Sequence, residues 1–463
     1  MQNRNDDLFV ILQPAKNLMI LVNLLQGKSF IVRFVGGSKM RKIFKFLIIG
    51  VFFVISCAQV QDPLTGKPTL TILPESEEIA IGKKVVPQAI NENDGLYPDR
   101  EVQEYVKSIG YKLASATPRK VDYQFYVVNS GEVNAFALPG GPVFIHRGLL
   151  LTLDNESELA GVIAHELGHI NARHHAKFLE KTYGLNILLN ILAVATSQSQ
   201  YQQIVMQLAQ VSAGLLQLKY SRDQEREADA LGVRFTYETG YDPRGLIATF
   251  EKFKKMEKTQ APPWLLTHPL PEERIQNVSQ LIATKYPDKL LLKKDSEKFQ
   301  EIKKRLVLTS DSYKYVENAK DNIKNKNLAV ALTNLDKAIK AYPENNAGYT
   351  YRAYVYYQLK DFKKSYEDAL RAYNIDRMYF MPQLIMGASL TKLGNYQESI
   401  RVLENAKNLI DSNPDLYYFL GVSYQSIGDR QNAYNNLTTA LKLTDGRRGW
   451  EQDAQNRLRV LVR

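Results

Sequence analysis

Cysteine is nearly absent: Cys57 is the only one in 463 residues, which excludes an intramolecular disulfide and leaves a single thiol to be explained. Histidine is scarce too, with six residues, so any group of imidazoles is informative. Long apolar runs are missing. Phe46 to Ile55 is too short to cross a bilayer, and residues 184–196 (GLNILLNILAVAT) contain Asn186 and Asn190 and are expected to form a buried or interfacial helix. A basic surface dense enough for nucleic acid is also lacking. Of the net charge of +11, residues 1–56 carry +6 through eight Lys or Arg against Asp6 and Asp7, and the +5 that remains is spread over about 400 residues. No nucleic-acid partner is expected. The fractions of hydrophobic (44%) and charged (24%) residues are those of a globular protein, and the length admits two or three domains.

What is present is organised around ELAGVIAHELGHINA, residues 158–172. Its apolar positions sit at helical spacing, so His165 and His169 share one face at i and i+4 and both imidazoles can reach one metal ion. Zinc takes two such ligands and keeps a position open for water, and Glu166, beside that position, is placed to be the general base of a hydrolase. Asp154 or Asn155 can cap this helix. A third protein ligand is offered by SRDQEREAD, residues 221–229: with Ser221 as N-cap, Glu225 and Asp229 fall on one face. Glu225 is expected to ligate, and Asp229 to accept the second ring nitrogen of a ligating histidine. His174 and His175 are expected on later turns of the metal helix, facing solvent.

The amino-terminal segment reads as an address. Met40-Arg-Lys-Ile-Phe-Lys45 is a basic n-region, Phe46 to Ile55 an apolar core, and Val54-Ile-Ser-Cys57 follows at once. This ending resembles the lipobox of bacterial lipoproteins, which implies lipidation at Cys57, a membrane anchor there, and the outer membrane as destination because Ala58 and not Asp follows (the inner membrane remains the alternative). The pattern also places the initiator at Met40 and residues 1–39 outside the translated protein.

In order along the chain, residues 1–56 read as upstream extension and signal peptide, 57–73 as a tether, and 74–289 as a peptidase-like domain. A linker at 290–311, repeats at 312–447 and a terminal helix or tail at 448–463 complete the reading. The first domain begins with helices over 74–90 and 100–116, then strand-like stretches at 123–128, 133–138 and 143–146, expected to form a small antiparallel sheet before the metal helix. An edge strand there could pair with an extended substrate, and Asn134, Ala135 and Phe136 are its candidate residues. Past the linker, Ala338, Ala372, Ala406 and Ala440 recur every 34 residues, as do Ala319, Ala353, Gly387 and Gly421, and Leu335, Ala369, Leu403 and Leu437. That is tetratricopeptide (TPR) spacing, about four repeats stacked into a solenoid whose concave face, which Tyr349 to Tyr357 could line, takes a protein or peptide partner.

Together AHELGH, SRDQEREADA, NAFALPGG and THPLPEER resemble the HtpX/BepA class of zinc metallopeptidases, and the repeats its TPR-bearing, BepA-like branch. The resemblance implies an α+β, mainly helical zincin of gluzincin type followed by an all-α TPR solenoid. It implies one zinc ion on His165, His169 and Glu225, Glu166 as base, and His268 near the metal, either stabilising the oxyanion or occupying the open coordination position. The expected function is a zinc-dependent endopeptidase on the periplasmic side of a bacterial envelope, degrading misfolded or misassembled envelope proteins, with outer-membrane assembly machinery as a possible TPR partner. The alternative is a periplasmic chaperone or assembly factor for outer-membrane proteins in which proteolysis is secondary. His268 is further expected to cap zinc at rest, with partner binding at the repeats favouring the open form.

Overall fold

The computed structural model describes residues 58–61, 63–64, 66, 68–270, 272–286 and 292–462. Cys57 and the expected signal peptide lie outside them. The chain divides into two compact units, residues 1–59 with 70–72 and residues 60–69 with 73–463. Within the expected tether there are two short strands, β1 (Ala58–Gln61) and β2 (Pro68–Thr71). No helix among the described residues is long and apolar enough to cross a membrane.

Helix α1 (Glu75–Glu92) and α2 (Arg100–Ala114) lead into a sheet of three strands, β3 (Gln124–Val128), β4 (Ala135–Ala137) and β5 (Pro142–His146), in the order β3-β5-β4. The sheet is mixed, not antiparallel as the sequence suggested. β5 runs antiparallel to β4, with Phe136 opposite Phe144, but parallel to β3, with Phe125 opposite Val143. The difference begins at the Asn129 turn. β5 lies between β3 and β4, so the two do not form a hairpin, and the Asn129 amide at the end of β3 donates to the carbonyls of Asp94 and Leu96 and to Asn346 Oδ1. The reversal is instead made after β4, where Gly140 (φ 74°) and Gly141 (φ 138°) supply backbone that L side chains adopt with strain. The outer edge of β3 is covered, since Gln103 binds Val127 N and O and the Tyr97 amide donates to Val127 O.

Helix α3 (Arg147–Thr152) precedes the fully buried α4 (Glu156–Asn171), whose N-cap Asn155 accepts from the Glu158 amide. The metal helix stops earlier than expected. Arg173 adopts a left-handed conformation (φ 53°, ψ 37°), so His174 and His175 start a separate helix, α5 (His174–Asn190), and both are fully buried, not solvated. Arg173 is fixed by Glu78 Oε2 at 2.7 Å and by the Leu73 carbonyl at 2.7 Å. Residues 184–196 are only partly helical: Gly184 kinks α5, Leu188 and Ile191 are buried, and Val194 is exposed. Then come α6 (Gln198–Leu216), α7 (Arg222–Glu238), α8 (Arg244–Glu257), the short α9 (Trp264–Thr267) and α10 (Glu272–Lys285).

The expected linker at 290–311 is mostly helix. α11 (Glu297–Lys324) runs unbroken for 28 residues, because Phe299, Ile302, Leu306 and Tyr313 along one face belong to the same buried core as β3, β5 and α4. Its last turns form the first repeat with α12 (Leu328–Ala341). The pairs α13 (Asn346–Gln358) and α14 (Phe362–Ile375), α15 (Phe380–Lys392) and α16 (Tyr396–Lys407), and α17 (Pro414–Ser426) and α18 (Arg430–Leu443) continue it, closed by α19 (Glu451–Val462). The period is set by close packing. A Cβ on Gly387 would lie 2.4 Å from Leu403 atoms, and one on Gly421 2.6 Å from Leu437 Cγ, so only small residues fit where paired helices meet.

The repeats are docked on the preceding domain. Gly95 sits where a Cβ would strike Tyr379 at 2.8 Å, the Leu96 amide donates to Asp376 Oδ2 at 2.7 Å, and Tyr351 donates to Asp94 Oδ1 at 2.6 Å. The tyrosine stretch is thus partly spent on this contact. A second contact joins α6 to α17 and α18, through Gln202 to Thr439 at 2.9 Å and Tyr201 to Tyr417 at 2.7 Å.

Candidate metal centre

The site is made where α4 crosses α7. A Cβ on Gly168 would lie 2.7 Å from the Ala228 carbonyl oxygen, and one on Gly232 3.1 Å from the His165 amide nitrogen, so the two helices touch backbone to backbone. α7 starts with a capping box, Ser221 and Gln224 each binding the other's backbone. That start fixes Glu225 one turn in, pointing at α4. α9 then delivers His268 from the other side.

His165 Nε2, His169 Nε2, a Glu225 oxygen and His268 Nδ1 converge, all within 4.8 Å of one another and all buried. His165 Nε2 is 3.1 Å from His169 Nε2 and 3.4 Å from His268 Nδ1. Glu225 Oε1 is 3.5 Å from His169 Nε2 and 3.0 Å from His268 Nδ1. A tetrahedral ion with bonds of about 2.0–2.1 Å needs ligand atoms about 3.3 Å apart. These spacings bracket that edge, and three imidazoles with one carboxylate are a suitable donor set, so the residues fit a metal ion.

Around the four donors lies a second layer that the sequence showed only in part. Asp229 Oδ1 stands 2.9 Å from His165 Nδ1 and is itself held by Arg274, whose Nε and Nη2 reach the two Asp229 oxygens at 2.8 and 2.7 Å. Arg274 also pairs with Glu225 Oε2. Behind His169, His174 Nδ1 lies 2.8 Å from His169 Nδ1, and His174 Nε2 meets Glu227 Oε2 at 3.0 Å. Tyr220 stacks on His169 with centroids 3.7 Å apart, and Trp264 stacks on His268 at 4.5 Å. Arg274, Glu227, Tyr220 and Trp264 had no assigned place in the sequence reading, and His174 was expected to face solvent. The pair Glu225 and Glu227 and the short gap from His169 to His174 were visible, but the helix break at Arg173 that turns His174 inward was not.

Burial depresses the basicity of His169, and the Glu225 carboxylate is held well below the usual range against its own burial by His268, His169 and Arg274. Glu166 behaves oppositely. Burial pushes its carboxyl up to about 8, with His165 opposing and Glu225 adding to the rise. Neither of its oxygens makes a well-formed hydrogen bond among the described residues, although the Trp264 side chain and the Ala137 backbone lie close enough to oppose the rise, and His268 Nε2 is 3.6 Å away. A buried carboxyl with unsatisfied oxygens beside a metal-binding cluster is placed to exchange a proton with a substrate or water.

Of the expected substrate strand, Ala135 is buried, Phe136 stacks on Phe144 at 4.8 Å, and Asn134 Oδ1 is buried without a partner. β4 is the edge of its sheet, on the side of the cleft that also holds Tyr220 and His268.

Such a centre, two histidines and a carboxylate from crossing helices with a free carboxylate alongside, defines the metallopeptidase class. Residues 98–282 match Peptidase family M48 and residues 414–445 match a tetratricopeptide repeat. The chain therefore carries an M48 peptidase domain followed by a TPR array. It is 28% identical over 413 residues to the beta-barrel assembly-enhancing protease of Escherichia coli (strain K12), spanning 85% of this chain and 79% of that one. It is 33% identical over 229 residues to a putative beta-barrel assembly-enhancing protease of Vibrio cholerae, 47% of this chain and 46% of the relative. Metalloprotease YcaL of Escherichia coli is 29% identical over 185 residues, 40% of this chain and 70% of the relative.

Proposed function

We propose that the chain is a zinc-dependent endopeptidase that acts on misfolded or misassembled proteins of a bacterial envelope, with zinc on His165, His169 and Glu225. The observation that carries this is the convergence of those donors beside the unpartnered Glu166. Zinc bound there would polarise a peptide carbonyl and acidify water. Glu166 takes the proton of the attacking water and passes it to the departing amine, so that the peptide C–N bond breaks with the proton balance closed. Asp229 and His174 keep the ligating rings oriented, and the free edge of β4 at Asn134, Ala135 and Phe136 pairs with the extended substrate. A lipid anchor at Cys57 places the enzyme at the periplasmic face of the outer membrane. The similarity to beta-barrel assembly-enhancing proteases supports misassembled envelope proteins as substrates and outer-membrane assembly machinery as the partner engaged through the repeats.

The decisive experiment compares Glu166→Gln with the parent: it should bind one zinc per chain and leave casein uncut. Cleavage at the parent rate would remove Glu166 from the mechanism. A second reading, an assembly factor in which proteolysis is secondary, is favoured by one observation. His268 Nδ1 occupies the fourth corner of the donor cluster, 3.0 Å from Glu225 Oε1, where it would close the site at rest. A Glu166→Gln protein that still rescues an envelope defect in a deletion strain would favour that reading.

A further inference from the structure

The cleft that begins at His268 and Tyr220 continues past the edge of β4 as about 200 Å³ of open space. Its polar lining is one-sided. Glu92 and Glu132 supply two carboxylates, Asn134 and His146 supply neutral groups, and no Lys or Arg lines it among the described residues. The adjoining part of the cleft adds Asp94 and Glu317, whose one neighbouring cation, Lys320, already pairs with both at 2.9 and 3.2 Å. Among the described residues the Glu132 carboxylate makes no side-chain hydrogen bond: His146 Nδ1 stands 3.9 Å away, and Lys320 attracts it only through space.

An acidic lining alone would be a solvated surface. What distinguishes this one is His146, on the last residue of β5. It is 1% exposed, lines the open space, and has no hydrogen-bond partner on either ring nitrogen among the described residues. Asn134 Oδ1, across the β4–β5 ladder, is a second buried acceptor with no partner among the described residues. Unpaired buried polar atoms cost about 1–3 kcal/mol each unless a ligand satisfies them. Phe136, edge-on to His146 with centroids 5.8 Å apart, gives the recess an apolar wall along which an alkyl stem can lie.

We propose that the recess between His146 and Glu132 is a substrate side-chain subsite, adjacent to the scissile position, that takes lysine or arginine. The inference rests on the peptidase reading above and adds the substrate class. The cationic head donates to the His146 ring nitrogen and to Asn134 Oδ1 and pairs with the Glu132 and Glu92 carboxylates, while the stem packs on Phe136. Burial holds the His146 ring neutral, so it does not repel a cation.

The test measures binding apart from turnover. Two fluorescein-labelled decapeptides differing only in a central Lys or Glu are titrated into full-length, zinc-loaded Glu166→Gln protein and followed by anisotropy. The Lys peptide should bind at least about fivefold more tightly, the worth of one partly shielded ion pair. Adding Glu132→Gln and Glu92→Gln should bring the two peptides to within about twofold, and a Glu132→Lys change should reverse their order. Both positions are on the surface of the cleft, so folding is not at risk; a His146→Gln protein, checked by its thermal midpoint, should lose affinity for the Lys peptide selectively. Equal affinities in the Glu166→Gln protein, or a preference that survives Glu132→Gln with Glu92→Gln, overturn the subsite. Casein digestion by the parent separates the two claims. Fragments without Lys or Arg enriched at one fixed position refute the subsite and leave the peptidase intact, whereas selective binding without any digestion refutes the peptidase alone.

Discussion

His174 backs His169 nitrogen to nitrogen, Nδ1 to Nδ1 at 2.8 Å, and is itself backed by Glu227 at 3.0 Å. Only one proton arrangement satisfies both contacts while leaving His169 Nε2 free for a metal: His169 donates to His174, and His174 donates to Glu227. Removing the middle of that chain frees the ligand to rotate. His174→Ala should weaken zinc binding by about 10–100-fold, measured by competition with a chromophoric chelator, and His174→Asn should recover part of the loss.

Arg274 neutralises two buried carboxylates, Asp229 and Glu225, and its Nη1 also donates to the Pro269 carbonyl at 2.8 Å. Arg274→Met removes the one guanidinium that reaches both buried acids and leaves them to imidazoles alone, a cost of up to about 3–5 kcal/mol. The thermal midpoint of the zinc-free protein should fall sharply, and added zinc should restore much of it by supplying the missing positive charge. Arg274→Lys should restore little, because an ammonium cannot grip Asp229 through two parallel bonds.

His268 is clamped between Trp264, at 4.5 Å, and Tyr220, at 4.9 Å. If the imidazole caps zinc at rest, His268→Ala should keep zinc near one per chain and raise basal casein cleavage. Loss of cleavage with zinc retained would assign it to the transition state instead.

Gly168→Ala would press a methyl group against the Ala228 carbonyl, 2.7 Å away, and push α7 from α4. A cost of about 1–3 kcal/mol is expected. Because α7 carries Glu225, zinc affinity should drop with stability, which distinguishes this change from an overpacked core elsewhere.

Burial lowers the folded-state basicity of His146 and of His175 to about 3 in each case. The unfolded chain takes up these protons near pH 6.5, the folded one does not, so stability falls as pH drops below 6.5 toward 3. At pH 5 the loss is about 2 kcal/mol per histidine. Urea midpoints at pH 7 and pH 5 should show it, and His146→Gln should flatten the dependence by about one proton.

Much of this was legible because it depends on local spacing. The i and i+4 imidazoles, the Ser221 cap and the 34-residue period are properties of single helices or helix pairs, and the side chains that carry them are small or ring-shaped in fixed positions. The mixed sheet was not legible, since strand order is a tertiary property, and the Asn129 side chain that ends β3 is held in part by Asn346, 217 residues away. His174 looked like a surface residue because the left-handed turn at Arg173 is imposed by Glu78 and the Leu73 carbonyl. Residues 297–311 looked like a linker because their Lys and Glu content hides Phe299, Ile302 and Leu306, which face the peptidase core once per turn.

That last helix decides what kind of machine the protein can be. α11 belongs to the hydrophobic core of the peptidase at one end and to the first repeat at the other, so the two parts share a beam and have no hinge between them. A chain cut before Glu297 would lose part of its own core, and a repeat array begun at residue 312 would start in the middle of a helix. Heat or denaturant should therefore melt the metal-binding domain and the repeats in one transition, and a load on the first repeat is carried straight into the hydrophobic core on which the metal helix packs.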